Sequence, residues 1–185
     1  MRGPLLSGPL GSQPALEALL RWTAPAGGGA DGRAPVVVLG PSWLGAALAR
    51  GGRTLLLVES EQRPTALRAY RRARKETRPL DVALAAAELP FRPGTLPALV
   101  VENVAGLPPG EAERWISALT PMLRPGGRLI AADATSSDAA AARVAGSFLA
   151  AALADIVQEW PREGAVLTVG VAPAAAIVAA RFNLG

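Results

Sequence analysis

The sequence predicts a doubly wound α/β domain with a mainly parallel sheet. Three observations carry this. Short apolar runs recur along the chain and alternate with helical patterns. One run, Val36, Val37, Val38 and Leu39, passes through Gly40 and Pro41 toward a helix, as a first β–α turn at a nucleotide site does. The last two runs flank Pro161-Arg162-Glu163-Gly164 and read as a hairpin, which adds an antiparallel edge strand.

The elements follow in order. Residues 1–14 are rich in Gly, Pro and Ser and are expected to be mobile or draped on a partner. Residues 14–22 carry Leu16, Leu19 and Leu20 on one helical face. Residues 24–35 read as a Gly/Pro/Ala linker. The expected organisation is an N-terminal segment over 1–35, a compact domain over 36–173 and a tail over 174–185. In the domain, strand 36–39 is followed by helix 44–50, ended by Gly51-Gly52. Strand 54–59 is apolar until its final acid, and helix 64–75 is rich in arginine. Strands are expected over 81–85 and 96–102. Helix 110–122 has Ala112, Trp115, Ile116 and Leu119 at apolar spacing. A turn at Pro125-Gly126-Gly127 leads to strand 128–132, then an alanine-rich helix over 137–153 and a hairpin of 155–160 with 165–172. Alternating units of this kind place helices on both faces of the sheet. There is no internal repeat.

Composition bounds the chemistry. A chain of 185 residues, half of them apolar, suits one globular domain. It has no cysteine and no histidine. Disulfides, thiolate nucleophiles, Cys/His zinc sites and imidazole general bases are therefore excluded. No carboxylate spacing suggests a metal site. The start lacks a continuous apolar signal core, and no run is long enough to span a bilayer, so a cytoplasmic protein is expected. Net charge is +4, almost all of the basic residues being arginine, which leans toward acidic partners.

The order of elements, with Leu123-Arg124-Pro125-Gly126-Gly127 before a late strand and a closing hairpin, resembles the class I S-adenosylmethionine-dependent methyltransferases. Glu88-Leu89-Pro90-Phe91 ahead of Leu99-Val100-Val101 looks like the family's lead into its fourth strand. The resemblance implies a Rossmann-like sheet, and S-adenosylmethionine as cofactor if the site is functional. It also implies carboxylates that this chain lacks. Val38 stands where the first-strand acid falls, Ala85 where the adenine-contacting acid falls, and Ala98 near the acid before the fourth strand. Glu59, ending the second strand, is the acid retained for ribose hydroxyls; a solvated strand-end carboxylate is its plain alternative. Gly40, Ser42, Gly45 and Glu59 are the candidate cofactor residues. Pro41, Ser42 and Trp43 fill the loop, where proline lacks an N–H and an indole takes ligand space, so the site is expected to be closed.

Glu102 and Asn103 end the fourth strand at the edge where substrates sit, and Glu102 could orient a nucleophile or take its proton. Asp133 and Asp138 follow the fifth strand; for each, strand-end or helix-dipole roles compete with function. Arg68, Arg71, Arg72 and Lys75 share a helical face by i, i+3, i+4, i+7 spacing. That face is either a solvated surface or a site for an anionic partner or nucleic acid. The favoured reading is a methyltransferase-like pseudoenzyme, a non-catalytic binding or assembly module with a protein partner or a second copy of itself. The alternative is an active methyltransferase with an atypical pocket.

Overall fold

The computed structural model describes residues 8–24, 35–84, 89 and 91–173. Seven strands form one sheet: β1 (Val36–Leu39), β2 (Thr54–Val58), β3 (Leu80–Leu84), β4 (Leu96–Glu102), β5 (Leu123–Asp133), β6 (Ala154–Arg162) and β7 (Ala165–Val171). Their spatial order is β3-β2-β1-β4-β5-β7-β6. The pairings from β3 through β5 are parallel, and β7 is antiparallel to both neighbours.

Register explains why these apolar runs pair as they do. Val82, Leu56, Val38, Val100, Ile130 and Val169 lie side by side across six strands. All six belong to one core face. One residue on, Ala83, Leu57, Leu39, Val101 and Ala131 line up on the opposite face. A slip of one residue would exchange the two rows. Each buried Val, Leu or Ile contributes about 1.5–3 kcal/mol, so the register is strongly specified.

Helices α1 (Gln13–Thr23), α2 (Ser42–Leu48) and α3 (Arg63–Lys75) cover the first face. Helices α4 (Pro109–Leu119) and α5 (Asp138–Ala150) cover the second. Small residues set the spacing. A Cβ at Gly45 would sit 3.0 Å from the Leu56 side chain, so α2 lies close on β2.

Four features differ from the sequence reading. First, α2 begins at Ser42, two residues earlier than expected, with Pro41 as its cap residue. Only Gly40 and Pro41 connect β1 to it. Second, Pro125-Gly126-Gly127 is an irregularity inside β5, not a turn ahead of it. Gly126 takes φ +73°, and a Cβ at Gly127 would meet two backbone carbonyls at 2.8 Å, so both positions require glycine. Third, the antiparallel strand β7 is inserted within the sheet, and β6 forms the edge.

Fourth, part of the N-terminal segment is built into the core. Ser12 caps α1 by accepting from the Ala15 N–H. Ala15 and Leu19 are fully buried, and Leu10 in the preceding single turn nearly so. Glu159 on β6 accepts from Arg21 and from the Trp22 indole N–H. Arg128 donates to the carbonyls of Trp22 and Ala24 and lies over the Trp22 ring. The expected linker over 25–34 and the tail over 174–185 lie outside the described residues, as do Ala85, Glu88 and Pro90. No helix among the described residues is long and apolar enough to cross a membrane.

If α1 is part of the domain's core, Leu19→Ala will lower unfolding free energy by about 2–5 kcal/mol in urea titrations. An unchanged midpoint would mean that α1 docks without contributing to stability.

Candidate functional site

Parallel strands end together at one edge of the sheet, and the polypeptide leaves β1 and β4 toward opposite faces. A crevice opens between them there. In this protein it is a cleft of about 810 Å³, within the range of small-molecule sites. Leu39, Gly40 and Pro41 enter from the end of β1, Leu57 and Glu59 from β2, and Glu102 and Asn103 from β4. Gln62, Leu89, Met122 and three α4 residues, Trp115, Ala118 and Leu119, complete the lining.

Glu59 is exposed and directly follows β2 with extended backbone. Its carboxylate is therefore available to hydroxyl donors. Glu102 is half-buried. Burial, and then the neighbouring Asp133, push its carboxyl above the usual range. A Cβ at Gly40 would lie 3.2 Å from the Glu102 Cβ, so glycine there keeps the loop close to this acid. Asn103 takes the left-handed conformation, φ 63°, that asparagine tolerates. Its N–H donates to the Ala132 carbonyl at 3.1 Å, tying the end of β4 to β5.

Asp133 is the most constrained acid of the site's surroundings. It is 1% exposed. Its Oδ1 accepts from the Ala105 N–H at 2.7 Å and so holds the turn after β4. Its Oδ2 has no hydrogen-bond partner among the described residues. Burial raises the carboxyl to about 6, against the opposing effect of the Ala105 and Val104 N–H groups.

The predicted site residues separate into three places. Gly40, Glu59, Glu102 and Asn103 meet in the cleft. Ser42 and Gly45 lie in α2 and do not line it; Gly45 serves helix–strand contact. Arg68, Arg71, Arg72 and Lys75 are exposed together along α3. The expectation that Trp43 closes the site is overturned. As the second residue of α2, Trp43 packs against the core cluster of the first face, on the side of the sheet away from the α4 lining. Val38, where the resemblance implies an acid, is fully buried on that same face, and Ala98 is buried in β4.

Trp115, Gln62 and Met122 were not recognised from sequence as lining residues. Trp115 was legible as one of the apolar positions of α4. It sits one residue before the fully buried Ile116, at the stripe's margin, and is 44% exposed. A large aromatic at the margin of a helix's apolar face is the signal that marks it.

No protein-family model and no curated protein matches the chain. Solved structures do match. One is the S-adenosylmethionine-dependent methyltransferase SibL in its apo form, at TM-score 0.66 and 17% identity, covering 88% of this chain and 55% of that one. Another is an O-methyltransferase family protein from Burkholderia thailandensis, at TM-score 0.65 and 15% identity, covering 88% and 57%. A third is a chain from a Haloferax volcanii complex containing the Trm112 methyltransferase activator, at TM-score 0.60 and 19% identity, covering 85% and 88%. The fold is that of the class I S-adenosylmethionine-dependent methyltransferases. The chain spans little more than half the length of the first two.

Asp133 gives a pH signature. Folded, it keeps its proton up to about pH 6; its ordinary value is 3.8. Between those values the folded state binds more protons, so its contribution to stability falls as pH rises. Compared with Asp133→Asn, the wild type should lose about 2 kcal/mol of relative stability from pH 4 to pH 7, at about 1.36 kcal/mol per unit of pKa difference. Urea titrations of both proteins across that range measure it, and a constant difference would contradict the assignment.

Proposed function

We propose that the chain is an S-adenosylmethionine-binding protein of methyltransferase fold, with an atypical pocket. The observation that carries this reading is the charge of the open cleft. Among its described lining residues are two carboxylates, Glu59 and Glu102, and no basic side chain. Such a lining favours a ligand with a cationic centre and hydroxyl donors. It disfavours the pyrophosphate of a dinucleotide, for which opposed charges and backbone N–H donors are needed. Pro41 supplies no N–H at the loop, and α2 has only seven residues.

The residues fit an adenosyl sulfonium in the following way. Glu59 accepts hydrogen bonds from ribose hydroxyls. The Gly40 backbone, without a Cβ, lies open beside Glu102. The apolar lining from α4, with Trp115 at its margin, excludes water around the ligand. When bound, S-adenosylmethionine supplies an electrophilic methyl group. Glu102, with its proton affinity raised by burial, is suited to orient an acceptor and take its proton. Methyl transfer depends mainly on alignment, so the absence of histidine and cysteine is no obstacle.

A second reading is favoured by one observation. The first-strand acid is replaced by Val38, whose side chain is fully buried in the apolar face. A module that has given up catalysis and holds a protein partner, or a second copy of itself, would tolerate that replacement. An anionic partner on α3 is consistent with either reading.

Calorimetric titration separates the two. The first predicts micromolar binding of S-adenosylmethionine. It also predicts a 10–100-fold loss in Glu59→Ala, from about 1.5–3 kcal/mol of charged hydrogen bonding. Trp43→Phe should leave affinity within a factor of two. No heat of binding at millimolar ligand would leave the assembly reading.

A further inference from the structure

We propose that the outward face of α3 binds the phosphate backbone of a duplex nucleic acid. The proposal rests on α3 alone and does not depend on what occupies the cleft. Residues 50–80 contain nine basic and three acidic side chains. Their net charge exceeds that of the whole chain, so the rest of the protein is slightly acidic. Arg68, Arg71, Arg72, Arg74 and Lys75 are all exposed. Ala66 and Ala73 are the buried residues of α3. Two alanine methyls seat the helix on the sheet, and the long basic side chains stand away from it.

Compensation within the protein is slight. Glu76 meets Arg72 at 3.1 Å and Arg78 at 2.5 Å, so one carboxylate serves two guanidinium groups. Arg63, Arg71 and Lys75 make no ion pair among the described residues. Like charges at i, i+3 and i, i+4 repel and weaken a helix. In the last turn of α3, Arg72, Arg74 and Lys75 suit the helix dipole, but the charge of the row is only partly matched within the described residues, and an external polyanion would neutralise the rest. Guanidinium groups bind phosphate oxygens in pairs, which suits a backbone site.

The features around this face select the occupant. Single-stranded nucleic acid requires aromatic platforms. The aromatic residue of α3, Tyr70, is partly buried and lies 6.0 Å beneath the Arg74 guanidinium. An acidic protein partner would require an apolar interface centre, and Leu67 is the large apolar residue of α3 that is exposed. The row from Arg68 to Lys75 extends about 10 Å at 1.5 Å per residue. A duplex presents roughly six phosphates over that length of axis, enough to engage four cations.

Fluorescence anisotropy of the full chain with a labelled 20-base-pair duplex, as DNA and as RNA of the same sequence, tests the proposal. Micromolar binding is expected at 50 mM salt, falling about a hundredfold by 200 mM for four phosphate contacts. Arg71→Glu with Lys75→Glu should weaken binding at least tenfold and flatten the salt dependence. If that variant does not fold, Arg71→Gln with Lys75→Gln should still weaken it several-fold. Absence of binding at 50 mM salt overturns the proposal. So does unchanged affinity in a folded variant, or tighter binding of polyglutamate or of a single strand of equal length.

Discussion

The polypeptide leaves β1 toward one face of the sheet and leaves β4 toward the other. Everything assigned to the cleft depends on that divergence. No helix can cover the carboxyl edge between two strands whose following helices lie on opposite faces. The crevice is a consequence of strand order and needs no particular loop sequence to exist. The two rows of apolar side chains enforce the order, because each face is filled only in the observed register. Glu59 and Glu102 acquire their positions from it, at the carboxyl ends of the two parallel strands that flank β1.

Loop chemistry then decides what the crevice admits. The loop is short, with proline at the helix cap, and gives up the N–H donors that hold phosphate groups. Starting the helix at Ser42 carries Trp43 to the far face, where its ring helps cover the core. The same substitution that looks like obstruction in the linear sequence leaves the cleft open. Val38, where the resemblance implies an acid, points into that face and extends the row of buried side chains.

Strands β1, β2 and β4 were legible because each contains an unbroken run of apolar residues, as expected where both faces of a parallel sheet are covered. The ends of helices were less legible. Ser42 and Trp43 follow a proline, and nothing local distinguishes a loop from a first helical turn there. The docking of α1 was hidden for a different reason. Its leucines gave the helix, but the groups that hold it, Arg128 and Glu159, lie more than a hundred residues away. Glu59, Glu102 and Asn103 could be named because strand ends are readable. Trp115 was absorbed into an apolar stripe, and the orphaned oxygen of Asp133 depends on a turn that no spacing reveals.

If, as proposed, the cleft at the end of β1 and β4 holds an adenosyl sulfonium ligand, it does so through its open, anionic lining. A crystal structure of the full chain soaked with S-adenosylhomocysteine tests it most directly. The account predicts density for the adenosyl group in the cleft, with its ribose on Glu59 and its tail beside Gly40 and Glu102, while Trp43 remains packed on the first face. An indole of Trp43 lying within the cleft, or adenosyl density elsewhere on the protein, would contradict it.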